Sequence, residues 1–110
     1  MFTFIELLGF SKRRQALLPD DEYRAFQEML IEDPEAGDTI ADTGGFKKIR
    51  WRRHGMGRPG GIRVIYYTLT SKGRIYLALL YPKNEMDNLT EAQKKPLSNY
   101  PTCWYNAKAL

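Results

Sequence analysis

Along this chain the apolar positions change period near Gly45, from helical spacing before it to alternation after it. Phe2 to Leu8 alternates as a strand. Phe10 and Leu17 then recur on one helical face with Arg13 and Arg14 turned outward, which predicts a helix over about 10–18 that Pro19 breaks. Asp20 follows as a candidate N-cap, with Asp21 and Glu22 favourably placed in the first turn. Tyr23, Phe26 and Leu30 repeat at i, i+3 and i+7, so a second helix is predicted to about Glu32, ended by Asp33 and Pro34. Residues 35–45 are rich in turn formers and predict a polar loop.

Beyond Gly45 three strands are predicted, near 46–53, 61–70 and 74–82. The glycine-rich run Gly55 to Gly61 and a tight turn at Ser71, Lys72 and Gly73 connect them, as in an antiparallel meander. Asn88 to Glu91 carries helix-start signals, while Pro96 and Pro101 predict that any helix there is short. The expected fold class is α+β, with N-terminal helices packed on a twisted, mainly antiparallel β-sheet. One domain is expected over 1–110, with 96–110 as an atypical C-terminal tail.

The composition narrows the setting. A chain of 110 residues with 43% hydrophobic content can bury a core and is too small for two domains. Cys103 is the single cysteine, which excludes an intramolecular disulfide and points to a reducing cytoplasm. The apolar start contains Glu6 and runs into Lys12, Arg13 and Arg14, the wrong charge order for a secretory signal. A cytoplasmic protein with no membrane partner is expected.

Charge changes the picture further. The formal net charge is only +4, yet it hides two opposed halves. Residues 20–42 hold nine of the thirteen acids (Asp20, Asp21, Glu22, Glu28, Glu32, Asp33, Glu35, Asp38, Asp42) against a single Arg24. Residues 43–84 hold ten cations (Lys47, Lys48, Arg50, Arg52, Arg53, Arg58, Arg63, Lys72, Arg74, Lys83), six aromatics and no carboxylate. Such a basic stretch suits a polyanion, whose binding weakens with salt at a slope of roughly 0.7 per phosphate for single strands.

In the first meander strand, alternation sets Ile49 and Trp51 on one face and Lys48, Arg50 and Arg52 on the other. That row reads either as a solvated sheet face or as an anion site. Arg63 shares a face with Ile65, Tyr67 and Leu69, and a charge in an apolar row usually has a partner or a task. Tyr66 and Tyr67 read as packing residues before base-stacking platforms.

His54 is the lone histidine, which excludes a two-histidine acid/base pair. The basic stretch lacks the clustered carboxylates a metal-dependent nuclease needs, and no nucleotide-binding glycine motif is present. No metal or cofactor is therefore expected. Catalysis by Lys, Arg, Tyr or His54 suits a substrate that brings its own nucleophile, as RNA does with the 2′-hydroxyl beside each phosphate. Lys47 and Lys48, crowded against Arg50 and Arg63, are candidates for the proton transfer.

Four blocks in order, D-D-E-Y-R-A-F-Q (20 to 27), T-G-G-F-K-K-I-R-W (43 to 51), G-x-G-R-P-G-G-I-R-V-I-Y-Y (55 to 67) and Y-P-K-N-E-M-D-N-L-T (81 to 90), make a joint signature. Over about residues 2–95 the chain resembles the HigB-like branch of the RelE/ParE toxin superfamily. The resemblance implies a RelE-like fold and a bacterial toxin of a type II toxin-antitoxin system that cleaves messenger RNA in the ribosomal A site. It also implies a neutralising antitoxin, HigA-like and DNA-binding, through which alone the pair meets operator DNA. The paired cations of RelE-type enzymes fall on Lys48 and Arg50, and their next-strand arginine on Arg63. The arginine they carry after the last strand aligns with Asn84, beside Lys83, and their tyrosine falls near Thr90. The proton donor and acceptor thus stay open among Lys83, Tyr81 and His54. Lys47, Arg52, Arg53, His54, Arg58 and Asn84 are the implied RNA contacts. The tail at 96–110 replaces the longer polar helix of such toxins, with Trp104 and Tyr105 set either to fold back or to meet an antitoxin. Two other functions suit the same fold, a ParE-like inhibitor of DNA gyrase and a plain RNA- or ribosome-binding module.

Overall fold

The structure is a computed structural model that describes residues 2–52, 61–86 and 88–106, with the side chains of 102–106 outside the description. Its elements are β1 (Thr3–Glu6), α1 (Leu8–Leu17), α2 (Asp20–Glu32), β2 (Asp38–Thr39), β3 (Lys47–Arg52), β4 (Gly61–Leu69), β5 (Arg74–Pro82) and α3 (Glu91–Asn106). The five strands form one sheet in the order β1-β5-β4-β3-β2. β3, β4 and β5 make the expected antiparallel meander, while β1 joins β5 in parallel and makes the sheet mixed. The described residues thus form a small α+β domain of three α-helices and a five-stranded mixed sheet.

Each face of the sheet has its own core. On one face Phe10 and Leu18 of the α1 region and Phe26 and Leu30 of α2 pack on Ile62, Val64, Tyr66, Ile75 and Leu77. The α2 contact reaches β3, where the Phe26 and Trp51 rings meet edge to face at 5.5 Å. On the opposite face Phe46, Ile65, Tyr67, Leu69, Tyr76, Ala78 and Tyr81 cluster with Leu89 and Leu97. Tyr66 and Tyr67 are both core residues, as the alternation predicts.

The register of β4 and β5 is irregular at one place. Ile65 pairs with Leu79 and Tyr66 with Leu77, so Ala78 is an extra residue in β5. A bulge resets the parity of everything after it. Simple alternation would put Leu77, Leu79 and Tyr81 on one side; the bulge instead turns Tyr81 to the face of Arg63, its cross-strand partner.

The helix ends differ from expectation in two ways. Asp20 does not cap α2: Pro19 occupies the N-cap position without a side-chain hydrogen bond, and the Asp20 carboxylate accepts from Arg14 Nη1 at 2.6 Å. Leu18, disfavoured from helix by the proline after it, is extended (φ −142°, ψ 87°), and α1 stops there. Three carboxylates, Asp20, Asp21 and Glu22, still sit in the first turn, where they complement the dipole.

α3 corrects the prediction of a short helix followed by a tail. It runs through Pro96 and Pro101 to Asn106. An interior proline costs roughly 3 kcal/mol through the lost N–H bond and the ring clash. The offset comes from packing and capping. Leu89, Leu97 and Pro101 are buried, and α3 packs through Ser98 and Pro101 beside Gly44. Thr90 and Gln93 form a reciprocal capping box, at 2.8 Å for Thr90 N–H to Gln93 Oε1 and 3.2 Å for Gln93 N–H to Thr90 Oγ1. Thr90→Ala is expected to lower stability by about 1 kcal/mol, read as a lower urea midpoint at unchanged slope.

The T-G-G-F block is a turn fastener. Thr43 is fully buried, with its hydroxyl donating to Ile40 O at 2.7 Å and accepting Phe46 N–H at 3.1 Å. Gly44 and Gly45 have φ of 77° and 115°, and a Cβ on Gly45 would press the Tyr67 ring at 3.1 Å. Glycine is therefore required there for both dihedral and space. Among the described residues no helix is long and apolar enough to cross a membrane.

Candidate cationic cleft

β3 sorts its side chains by alternation. Ile49 and Trp51 pack toward α2, while Lys48, Arg50 and Arg52 take the other side. Lys47 has the parity of Ile49. Its Nζ lies 3.3 Å from Glu35 Oε1 and donates to Thr39 Oγ1 at 3.0 Å. The expected crowding of Lys47 with Lys48, Arg50 and Arg63 does not occur, because adjacent strand residues point to opposite faces.

The register lines up one row across three strands. Arg50 of β3 stands opposite Arg63 of β4, which stands opposite Tyr81 of β5. Directly opposed residues have Cβ atoms about 5 Å apart, close enough for two guanidinium groups to hold one anion. Arg63 is only 7% exposed, a buried charge flanked by another of the same sign. Two like charges in register cost stability unless an anion joins them. Among the described residues the ion pairs are Arg13 with Glu85, Arg14 with Asp20, Lys47 with Glu35 and Lys94 with Glu91. None of them neutralises Lys48, Arg50, Arg52 or Arg63.

These cations open on a cleft of about 410 Å³ lined by Ala36, Gly37, Asp38, Lys48, Ile49, Arg50 and Arg63. One wall, Ala36, Gly37 and Asp38, comes from β2 and the residues just before it, which the sequence reads as loop. Tyr66, from the sheet, donates its hydroxyl to Pro34 O at 3.0 Å and accepts Gly37 N–H at 2.9 Å; Thr68 donates to the same carbonyl at 3.1 Å. Burial, the largest influence, holds the Tyr66 phenol above its ordinary value, so it stays a neutral donor. Asp38 then pairs with Lys48 across the ladder and shares its face. Tyr66→Phe is expected to leave the Gly37 N–H and the Pro34 carbonyl without this partner and cost roughly 1–3 kcal/mol, with faster amide exchange at Gly37 as the local reading.

The structure brings Lys48, Arg50 and Arg63 together and leaves other candidates apart. Lys83 and Asn84 are exposed in the turn after β5 and do not line the cleft. Lys83 N–H donates to Gly61 O at 3.2 Å. Two residues on, Glu85 receives both Arg13 Nη atoms at 2.7 Å, a bond that draws its carboxyl below the usual range. Arg52 follows Arg50 on the same face and is exposed. Arg53, His54 and Arg58 lie outside the described residues, as do the Trp104 and Tyr105 side chains.

Two residues near the cleft carried no functional signal in the sequence. Asp38 sits in a two-residue strand, too short for any periodicity to show. Asn88 reads as a helix-start residue, yet its Oδ1 accepts from Lys48 Nζ at 3.2 Å. Together these features define a class, a small α+β domain with an anion-receptive cleft at the edge of its sheet. No protein-family model matches the chain.

Proposed function

We propose that this protein is the toxin of a type II toxin-antitoxin system, a HigB-like endoribonuclease that cuts messenger RNA on the ribosome in the bacterial cytoplasm. What carries the reading is the convergence of Lys48, Arg50 and Arg63 on one cleft, with no ion pair from a described carboxylate on any of them. The ordered sequence blocks at 20–27, 43–51, 55–67 and 81–90 support it. Arg50 and Arg63 hold the nonbridging oxygens of the scissile phosphate, and charge gathering on the pentacoordinate phosphorus meets cations already in place. Lys48 stands beside them as a further donor. The attacking group is the 2′-hydroxyl of the substrate itself, so no metal or cofactor is invoked. Arg52 and the cations of the β3–β4 connection extend the contact to RNA. A HigA-like antitoxin covers the cleft and carries the pair to operator DNA.

Primer extension on a defined message in a purified translation system, with and without ribosomes, tests this reading. Cuts within codons that need ribosomes are expected. An intact message with translation proceeding normally would remove it, and a DNA-damage response in cells with uncut messages would identify a gyrase inhibitor instead.

A further inference from the structure

Among the described residues Asp38 is the one carboxylate lining the cleft, beside Lys48, Arg50, Arg63, Ile49, Ala36 and Gly37. Aspartate is depleted in strands, yet here it occupies one of the two positions of β2. Its backbone is fixed from three sides. Gly37 is so close to β3 that a Cβ there would lie 2.8 Å from Lys48 O, Tyr66 holds the Gly37 N–H and the Pro34 carbonyl, and Lys47 holds Glu35. The carboxylate itself is left available: Asp38 is exposed, and among the described residues it forms no ion pair. Its cross-strand neighbour Lys48 is engaged with Asn88 instead. The other carboxylates of the 20–38 segment that have side-chain partners are turned elsewhere, Asp20 to Arg14, Glu22 to Trp51 and Glu35 to Lys47. An acceptor and three cations thus share one cleft without quenching one another, the separation of acid and base roles that proton transfer needs.

We infer that Asp38 is the catalytic residue that takes the proton of the attacking 2′-hydroxyl. The inference rests on the endoribonuclease reading above. Alternation along β3 puts the Asp38–Lys48 pair one face-repeat, about 7 Å, from the Arg50–Arg63 pair. Side chains reaching inward from both pairs span a phosphate and the adjoining 2′-oxygen. In the step, the 2′-oxygen forms its bond to phosphorus as its proton passes to the Asp38 carboxylate. The bond from phosphorus to the 5′-oxygen breaks, and that oxygen leaves with a proton from Lys48 or water. The products are a 2′,3′-cyclic phosphate and a free 5′-hydroxyl, and no oxidant, reductant or metal enters the balance.

The test is single-turnover cleavage of a ribosome-bound message by wild type, Asp38→Asn, Asp38→Glu and Arg63→Ala, from pH 6 to 8.5, with ribosome binding measured in parallel. Asp38→Asn is expected to bind ribosomes as wild type does and to cleave roughly 10²- to 10⁴-fold more slowly. With the acceptor gone hydroxide must serve, so its rate should climb about tenfold per pH unit and more steeply than wild type. Asp38→Glu, which keeps the carboxylate, should recover part of the rate and guards against a folding defect. An Asp38→Asn rate within threefold of wild type overturns the assignment, as does a loss confined to ribosome affinity or a change confined to the codon cut. In those cases cleavage by wild type and its absence in Arg63→Ala leave the nuclease reading standing. A wild type that cuts no message removes both.

Discussion

Arg63→Ala is expected, on the proposed endoribonuclease function, to lower single-turnover cleavage of ribosome-bound message by roughly 10³- to 10⁵-fold, the range seen when a transition-state arginine is removed from phosphoryl-transfer sites. The magnitude follows from where the charge sits. Arg63 is 7% exposed, between Arg50 on one strand and Tyr81 on the other, so water screens it little. Arg50 is exposed, and its removal should cost less. Arg63→Lys should recover only a small part, because a point ammonium cannot reproduce the planar two-oxygen grip. The fold should survive: the alanine variant relieves a like-charge pair, and its unfolding midpoint should stay near that of wild type. Full growth inhibition by a folded Arg63→Ala protein would take Arg63 out of the active centre.

Phe26→Ala should have the largest effect on stability, about 3–5 kcal/mol. The side chain is fully buried under α2 and makes the edge-to-face contact with Trp51. Small domains hold only about 5–15 kcal/mol in total, so the loss takes a large share of the margin. It should appear as a lower urea midpoint, with cleavage per folded molecule unchanged because Phe26 faces away from the cleft. Ile31, on the same helix and 45% exposed, is the control; its alanine variant should shift stability by less than about 0.5 kcal/mol. A Phe26→Ala protein as stable as wild type would contradict the packing described for α2.

The meander is legible because turn signals bound two nine-residue runs rich in aliphatic and aromatic residues, β4 and β5, even though burial on both faces leaves them without a two-residue period. Alternation also separated Lys48, Arg50 and Arg52 from Ile49 and Trp51, and it set Arg63 in its apolar row. What failed was local. The start signals at 88–91 do mark the beginning of α3, but the packing of Leu97 and Pro101 carries the helix past two prolines that propensity alone would treat as stops. Asp20 gave up its capping role because Pro19 presets the entry and Arg14 claims the carboxylate.

By itself the sequence determined the order of the elements apart from β2, the two faces of β3, and the concentration of cations after residue 43, since each depends on composition and short-range period. Only the tertiary structure decided which cations meet. Register set Arg50 opposite Arg63, and the bulge at Ala78 turned Tyr81 toward them. The tether from Tyr66 to Pro34 and Gly37 brought Asp38 to the same cleft from a segment that reads as loop. Contacts between residues about thirty positions apart leave no periodic trace in a chain, because the pairing of distant strands is fixed by packing and hydrogen bonding after the chain has folded back on itself.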